Sequence, residues 1–112
     1  MPARGESLDQ QWREHVDRLL LDPARLFVMA LLVSPEGYRF GYLCECYGAT
    51  KPVMARHVRK LCDAGYVETT RGAYSELWLR ATPFGHQRLS DHTKAMEQTV
   101  SRARELGKAA RS

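Results

Sequence analysis

A chain of 112 residues with 44% hydrophobic and 27% charged side chains has the balance of one ordinary globular domain, which excludes a disordered or fibrous polymer. Its formal net charge of +4 is unevenly held: residues 1–50 carry five basic and seven acidic side chains and residues 51–112 carry twelve and six, so positive potential gathers after the midpoint. No apolar run approaches the roughly 18 residues of a membrane span, the start lacks the apolar middle of a secretion signal, and three cysteines cannot all pair internally. A soluble, cytoplasmic protein is expected, with one domain over residues 1–112 and no membrane association.

Residues 1–7 are expected to be disordered. Leu8, Trp12, Val16 and Leu19 then recur at helical spacing with polar residues between them, which predicts an amphipathic helix over 8–21. Asp22-Pro23 ends that helix and starts the next, with Asp22 as N-cap and Pro23 at the first helical position, where its missing N–H costs nothing. Residues 24–33 (ARLFVMALLV) are apolar almost all round and predict the central buried helix. Ser34 to Gly37 is a turn, Tyr38-Arg39-Phe40 an extended lead-in, and Gly41 to Tyr47 a short helix turning Phe40, Leu43 and Tyr47 inward before Gly48 stops it.

The stretch TKPVMARHVRKLCDAG, Thr50 to Gly65, is the most informative in the chain. Thr50 is a good N-cap by residue type, Pro52 is tolerated in the first turn, and Gly65 closes the run. Met54, Val58 and Leu61 fall on one stripe of an α-helix, and the opposite face carries Pro52, Arg56, Arg59 and Lys60. Lys51 to Lys60 holds four Lys/Arg residues and no acid. Such a face repels itself until something anionic arrives, and duplex DNA is the partner that fits. His57 lies at the edge of the apolar stripe and is expected to pack and hydrogen-bond rather than to act as a ligand.

Beyond Gly65 the period shortens to that of strands: residues 66–70 and 76–80 predict a hairpin around a tip that includes Arg71. Thr82-Pro83 repeats the cap-plus-proline start, and a helix over 83–106 follows with Leu89, Thr93, Met96, Val100 and Ala103 on a weakly apolar seam; residues 107–112 are expected to be disordered. The stripe Leu8, Trp12, Val16, Leu19 and the seam Leu89, Met96, Val100 exceed what a small core can cover. A homodimer built from both helices is therefore expected.

The order of these elements, and the wording LDPARLFVMALL (Leu21 to Leu32), FGYLCECYGATKPVMARHVRKLCDAGYVE (Phe40 to Glu68) and LRATPFGHQRL (Leu79 to Leu89), resemble the bacterial winged-helix transcriptional regulators of the broad MarR/ArsR-like group. The resemblance implies a mainly α fold with a small β-hairpin wing (α+β), a winged helix-turn-helix dimerising through N- and C-terminal helices and binding a roughly palindromic operator. It implies a sequence-specific, double-stranded DNA-binding regulator, a repressor rather than an activator. On the matching positions Thr50, Lys51, Pro52, Ala55 and Arg56 would face base edges, Arg59 and Lys60 phosphates, and Arg71 the wing contact. Ala55 stands where many such regulators have serine, which removes one possible hydroxyl contact.

Cys44-Glu45-Cys46, with Cys62, raises the alternative of a thiol- or metal-responsive sensor. Helical residues two apart point about 200° from each other, so Cys44 and Cys46 are poorly placed to share an ion, and no metal site is assigned. His86 and His92, about 240° apart, fare no better. There is no glycine-rich phosphate loop, HExxH or GxSxG, so neither an enzyme nor a cofactor is expected. A small-molecule effector is possible without being indicated, and a protein-interaction module with an acidic partner is the reading from another class.

Overall fold

The computed structural model describes residues 7–111. Five helices and three strands follow in the order α1 (Leu8–His15), α2 (Pro23–Leu31), β1 (Tyr38–Arg39), α3 (Phe40–Tyr47), α4 (Lys51–Asp63), β2 (Val67–Arg71), β3 (Leu77–Ala81) and α5 (Pro83–Arg111). Short 3-10 turns occupy Arg18–Leu21 and Ala73–Ser75. The fold is mainly helical with a small antiparallel sheet, as expected. Residues 1–6 and 112, expected to be disordered, lie outside the described residues.

The core sits where α2, α3, α4 and the sheet meet. Leu20, Val28, Met29, Leu32, Leu43, Met54, Leu61 and Leu79 are fully buried there, each such side chain worth about 1.5–3 kcal/mol relative to exposure. The α4 stripe of Met54, Val58 and Leu61 is buried as its spacing predicts. The central helix is shorter and less enclosed than the apolar run suggests: it ends at Leu31, Leu32 is a buried C-cap, and Val33 is 64% exposed. Residues 34–37 reverse the chain immediately afterwards, which leaves Val33 outside the core.

An unbroken helix over 8–21 does not form. α1 is capped by the Ser7 hydroxyl, which accepts from the Gln10 N–H at 3.1 Å, and it stops at His15; Val16 is extended. The reason lies at Asp17. Its Oδ1 accepts from the Leu19 N–H at 2.9 Å to start the 3-10 turn, its Oδ2 accepts from Arg88 Nε at 3.0 Å and from the Tyr66 hydroxyl, and it is only 5% exposed. A continuing helix would replace this buried bonding with intrahelical bonds and leave the carboxylate unpaired, so the chain turns here.

The sheet has three strands rather than two, in the order β1-β3-β2 and antiparallel throughout. The lead-in at Tyr38–Arg39 pairs with β3 as Tyr38↔Leu79 and Arg39↔Trp78. Gly37 permits this pairing: its φ of 80° is left-handed, and a Cβ there would lie 2.3 Å from the Leu79 carbonyl oxygen.

Residues 107–111, also expected to be disordered, continue α5, which runs 29 residues. Ala103, Leu106, Ala109 and Ala110 are good helix formers, Arg102 pairs with Glu105 at 3.1 Å, and no proline interrupts the run. Gly107 alone, costing about 1 kcal/mol relative to alanine, does not break it. At 1.5 Å per residue the helix is roughly 43 Å long and sets the long axis of a molecule measuring 62 × 26 × 22 Å.

Candidate nucleic-acid interface

Helix α4 is built from its buried side outward. Met54, Val58 and Leu61 fix α4 onto the core, and Lys51, Pro52, Val53, Ala55, Arg56, Arg59 and Lys60 are left exposed. The cationic face is therefore a free surface, with Asp63 the one acidic side chain near its far end. Val53, 39% exposed, belongs to this outer surface as well. The sequence signal for it was present, because Val53, Arg56 and Lys60 are three and four residues apart.

The Thr50 hydroxyl does not cap α4; the first turn is closed instead by the Met54 N–H donating to the Thr50 carbonyl at 3.0 Å. Proline at position 52 already removes one orphan donor, so the cap is less needed. The hydroxyl stays exposed beside Lys51.

Gly48, at φ 81°, ends α3 and swings the chain into α4. His57 packs and hydrogen-bonds, as expected: its Nδ1 lies 3.1 Å from Arg25 Nη1 and 3.9 Å from Asp22 Oδ1. Arg25 also donates through Nε to the Leu19 carbonyl at 2.7 Å. One guanidinium thus ties α4, α2 and the 3-10 turn together, which fixes how far the basic face projects.

The wing stands beside this face. Arg39, Tyr42, Glu45, Lys51 and Glu76 line one cleft between α3, the start of α4 and the tip end of the hairpin. Arg39 pairs with Glu76 at 3.4 Å, and Glu68 with Arg80 at 2.7 Å, so both wing carboxylates face an arginine. Arg71 is exposed, and its Nη1 donates to the Ser75 carbonyl across the tip at 2.8 Å. Arg39 and Tyr42 carry no helical or hairpin signature that marks them for a site; only the fold brings them to Lys51.

The apolar residues assigned to a dimer divide into two groups. Leu19 and Leu89 pack against the chain's own core, whereas Leu8, Trp12, Val16 and Met96 are half-buried and Val100 is 49% exposed. Leu21 and Leu106, not singled out by the sequence, are 50% and 43% exposed. α1 packs on α5 of the same chain, so part of the Trp12 stripe is covered internally.

Cys44 is buried, Cys46 exposed and Cys62 half-buried, in keeping with the opposed directions of the first two. Burial pushes the thiols of Cys44 and Cys62 above their ordinary value and away from the thiolate that redox or metal chemistry needs. Among the described residues no group of three or more His, Cys, Asp or Glu side chains could hold a metal ion, and no helix is long and apolar enough to cross a membrane.

Solved structures share this architecture. A transcriptional regulator homologue from Pyrococcus horikoshii OT3 aligns with a TM-score of 0.74 at 19% identity, over 81% of this chain and 94% of that one. YusO from Bacillus subtilis aligns with a TM-score of 0.71 at 16% identity, over 93% and 79%. The transcriptional repressor BigR from Xylella fastidiosa aligns with a TM-score of 0.56 at 27% identity, over 65% and 71%. Comparison with the curated proteins finds none that matches. Residues 24–100 match the family model of the winged helix DNA-binding domain, which takes in α2, the helix-turn-helix, the wing and most of α5. With that match over most of its length, and with the basic face of α4 standing free on the fold those regulators share, this chain belongs to the winged helix DNA-binding domain family.

Proposed function

We propose that the protein is a homodimeric, cytoplasmic transcriptional regulator, acting as a repressor at a roughly palindromic operator. The observation that carries this reading is the exposed face of α4, with Lys51, Arg56, Arg59 and Lys60 outward. Arg56, near the middle of that face, has the planar fork that pairs with guanine O6 and N7, and Thr50, Lys51, Pro52 and Ala55 flank it toward base edges. Arg59 and Lys60 anchor phosphates, and Arg71 brings positive charge to the wing. BigR, described as a transcriptional repressor, supports the direction of regulation. The half-exposed apolar side chains on α1 and along α5, Trp12, Met96, Val100 and Leu106 among them, support a second copy as the cover for these helices.

Sedimentation equilibrium and duplex-binding titrations across a salt series test this together. Two chains per particle are expected. With about six phosphate contacts per dimer, affinity should fall about a thousandfold between roughly 50 and 200 mM salt. A monomer at all concentrations would remove the dimer, and binding that ignores salt, or no binding, would remove the DNA assignment.

A further inference from the structure

We propose that Tyr74, at the tip of the wing, is the side chain that enters the minor groove of a bound duplex and senses whether the base pairs there carry a 2-amino group. The inference rests on the DNA-binding reading above and adds to it a contact residue and a base-pair preference.

Tyr74 is 98% exposed, so its ring gains nothing from packing in the free protein. Its backbone is nevertheless held left-handed, at φ 57° and ψ 28°, and Ser75 follows at φ 60°. Glycine or asparagine is the ordinary occupant of such positions; a bulky aromatic there is uncommon and points to a use for the side chain. The turn around it is clamped from several sides. Arg71 Nη1 donates to the Ser75 carbonyl at 2.8 Å, and the Gly72 N–H donates to the Glu76 carbonyl at 2.8 Å. The Trp78 indole packs so closely that a Cβ at Gly72 would lie 2.8 Å from its Nε1. Arg71 is thereby a positioning residue for the tip, and Tyr74 is what the tip presents.

The surroundings select the occupant. The tip end of the hairpin, at Glu76 and Leu77, shares its cleft with Lys51, the first residue of α4, so the wing flanks the element that would lie in the major groove. Arg39 and Arg80 pair with the wing carboxylates, which leaves Arg71 as the uncompensated charge near the tip and removes repulsion toward phosphates. A phenol suits the narrow minor groove: the flat ring slides between the sugar walls, and its hydroxyl donates to adenine N3 or thymine O2. On G·C pairs the guanine 2-amino group stands on the groove floor, where it blocks the ring.

The test uses the full chain and three synthetic duplexes, poly(dA·dT), poly(dI·dC) and poly(dG·dC). Inosine keeps guanine's major-groove acceptors and lacks the 2-amino group. Wild-type protein should bind poly(dI·dC) about tenfold more tightly than poly(dG·dC), a difference of the size of one good base contact. Tyr74→Ala should abolish that ratio, Tyr74→Phe should retain about half of it on a logarithmic scale, and neither should change the salt slope, because no charge is lost. Arg56→Ala should weaken binding yet keep the ratio. Salt-dependent binding with no inosine preference, or with a preference that survives Tyr74→Ala, overturns this inference alone. Failure of the wild type to bind any of the three would overturn the DNA-binding reading and the inference with it.

Discussion

The main-chain N–H of Asp17 donates to Nδ1 of His92 at 2.9 Å, across 75 residues of sequence, and joins the first third of the chain to the middle of α5. Because Nδ1 accepts, the ring is neutral with its proton on Nε2, an atom that is buried and makes no hydrogen bond. Burial pushes the imidazole below the ordinary value of 6.5; the Asp17 carboxylate pulls it up by less, and Arg88 pushes it down further. An unfolded chain therefore takes up this proton more readily than the folded one, and stability is lost as pH falls below 6.5, levelling off below the folded value. Urea unfolding at about pH 7.5 and about pH 5.5 should show the loss in the wild type and a smaller one in His92→Gln, whose amide oxygen can accept the same N–H. Equal pH dependence in both proteins would show that His92 is not its source.

Asp17 closes the other side of that network. Burial by itself would raise its carboxyl, but hydrogen bonds from Tyr66, Arg88 and the Leu19 N–H, with the Arg88 charge, hold it below the ordinary 3.8. Its contribution is complete above 3.8 and lost as pH falls through the lower folded value, a window separate from that of His92. Asp17→Ala should cost about 3 kcal/mol at neutral pH, because the Tyr66 hydroxyl, Arg88 and the Leu19 N–H all lose their acceptor. A change under about 0.5 kcal/mol by urea unfolding would mean water replaces it freely.

Gly85 is the second residue of α5 after its proline, and a Cβ there would sit 2.2 Å from the Tyr66 carbonyl oxygen. That oxygen already accepts from the Thr82 N–H at 2.9 Å, so it has little freedom to move aside. Gly85→Ala should destabilise by about 2–4 kcal/mol, read as a lower melting midpoint, while Gly107→Ala, with open space around it, should stabilise by about 1 kcal/mol.

Tyr74→Gly separates stability from binding. Relief of the left-handed backbone should stabilise by about 1 kcal/mol, a rise of several degrees in melting midpoint, even as the wing contact is lost. A gain in stability with unchanged duplex affinity would leave the tyrosine without the role given to it.

Much of this arrangement is legible in the residues alone. The α4 stripe, the Asp22 and Thr82 caps and the glycine stops are local devices, each specified within a few positions, and each forms where its spacing says. Other departures arose where a distant partner decided. Nothing near Asp17 reveals that Arg88, Tyr66 and His92 will converge on it and break the first helix. Strand β1 is too short to declare itself without β3, and the Thr50 cap fails although its residue type is right. On the candidate surface the charges were readable from the helix face, whereas Arg39 and Tyr42 owe their places to the packing of α3 beside α4 and the hairpin.

Arg56 and Lys60 lie on the same face of α4 and should fail differently. Arg56→Ala should relax base preference at one position per half-site, at a cost of about 1–3 kcal/mol. Lys60→Ala should weaken all duplexes alike and reduce the salt slope by about one unit per site.

Selection of bound duplexes from a fully randomised library reaches the centre of the account. Wild-type protein should enrich an inverted repeat whose half-site centres lie about one helical turn apart, near 34 Å, and Arg56→Ala should blur one position in each half. Enrichment of no sequence, or of a motif without two-fold symmetry that Arg56→Ala leaves unchanged, would contradict it.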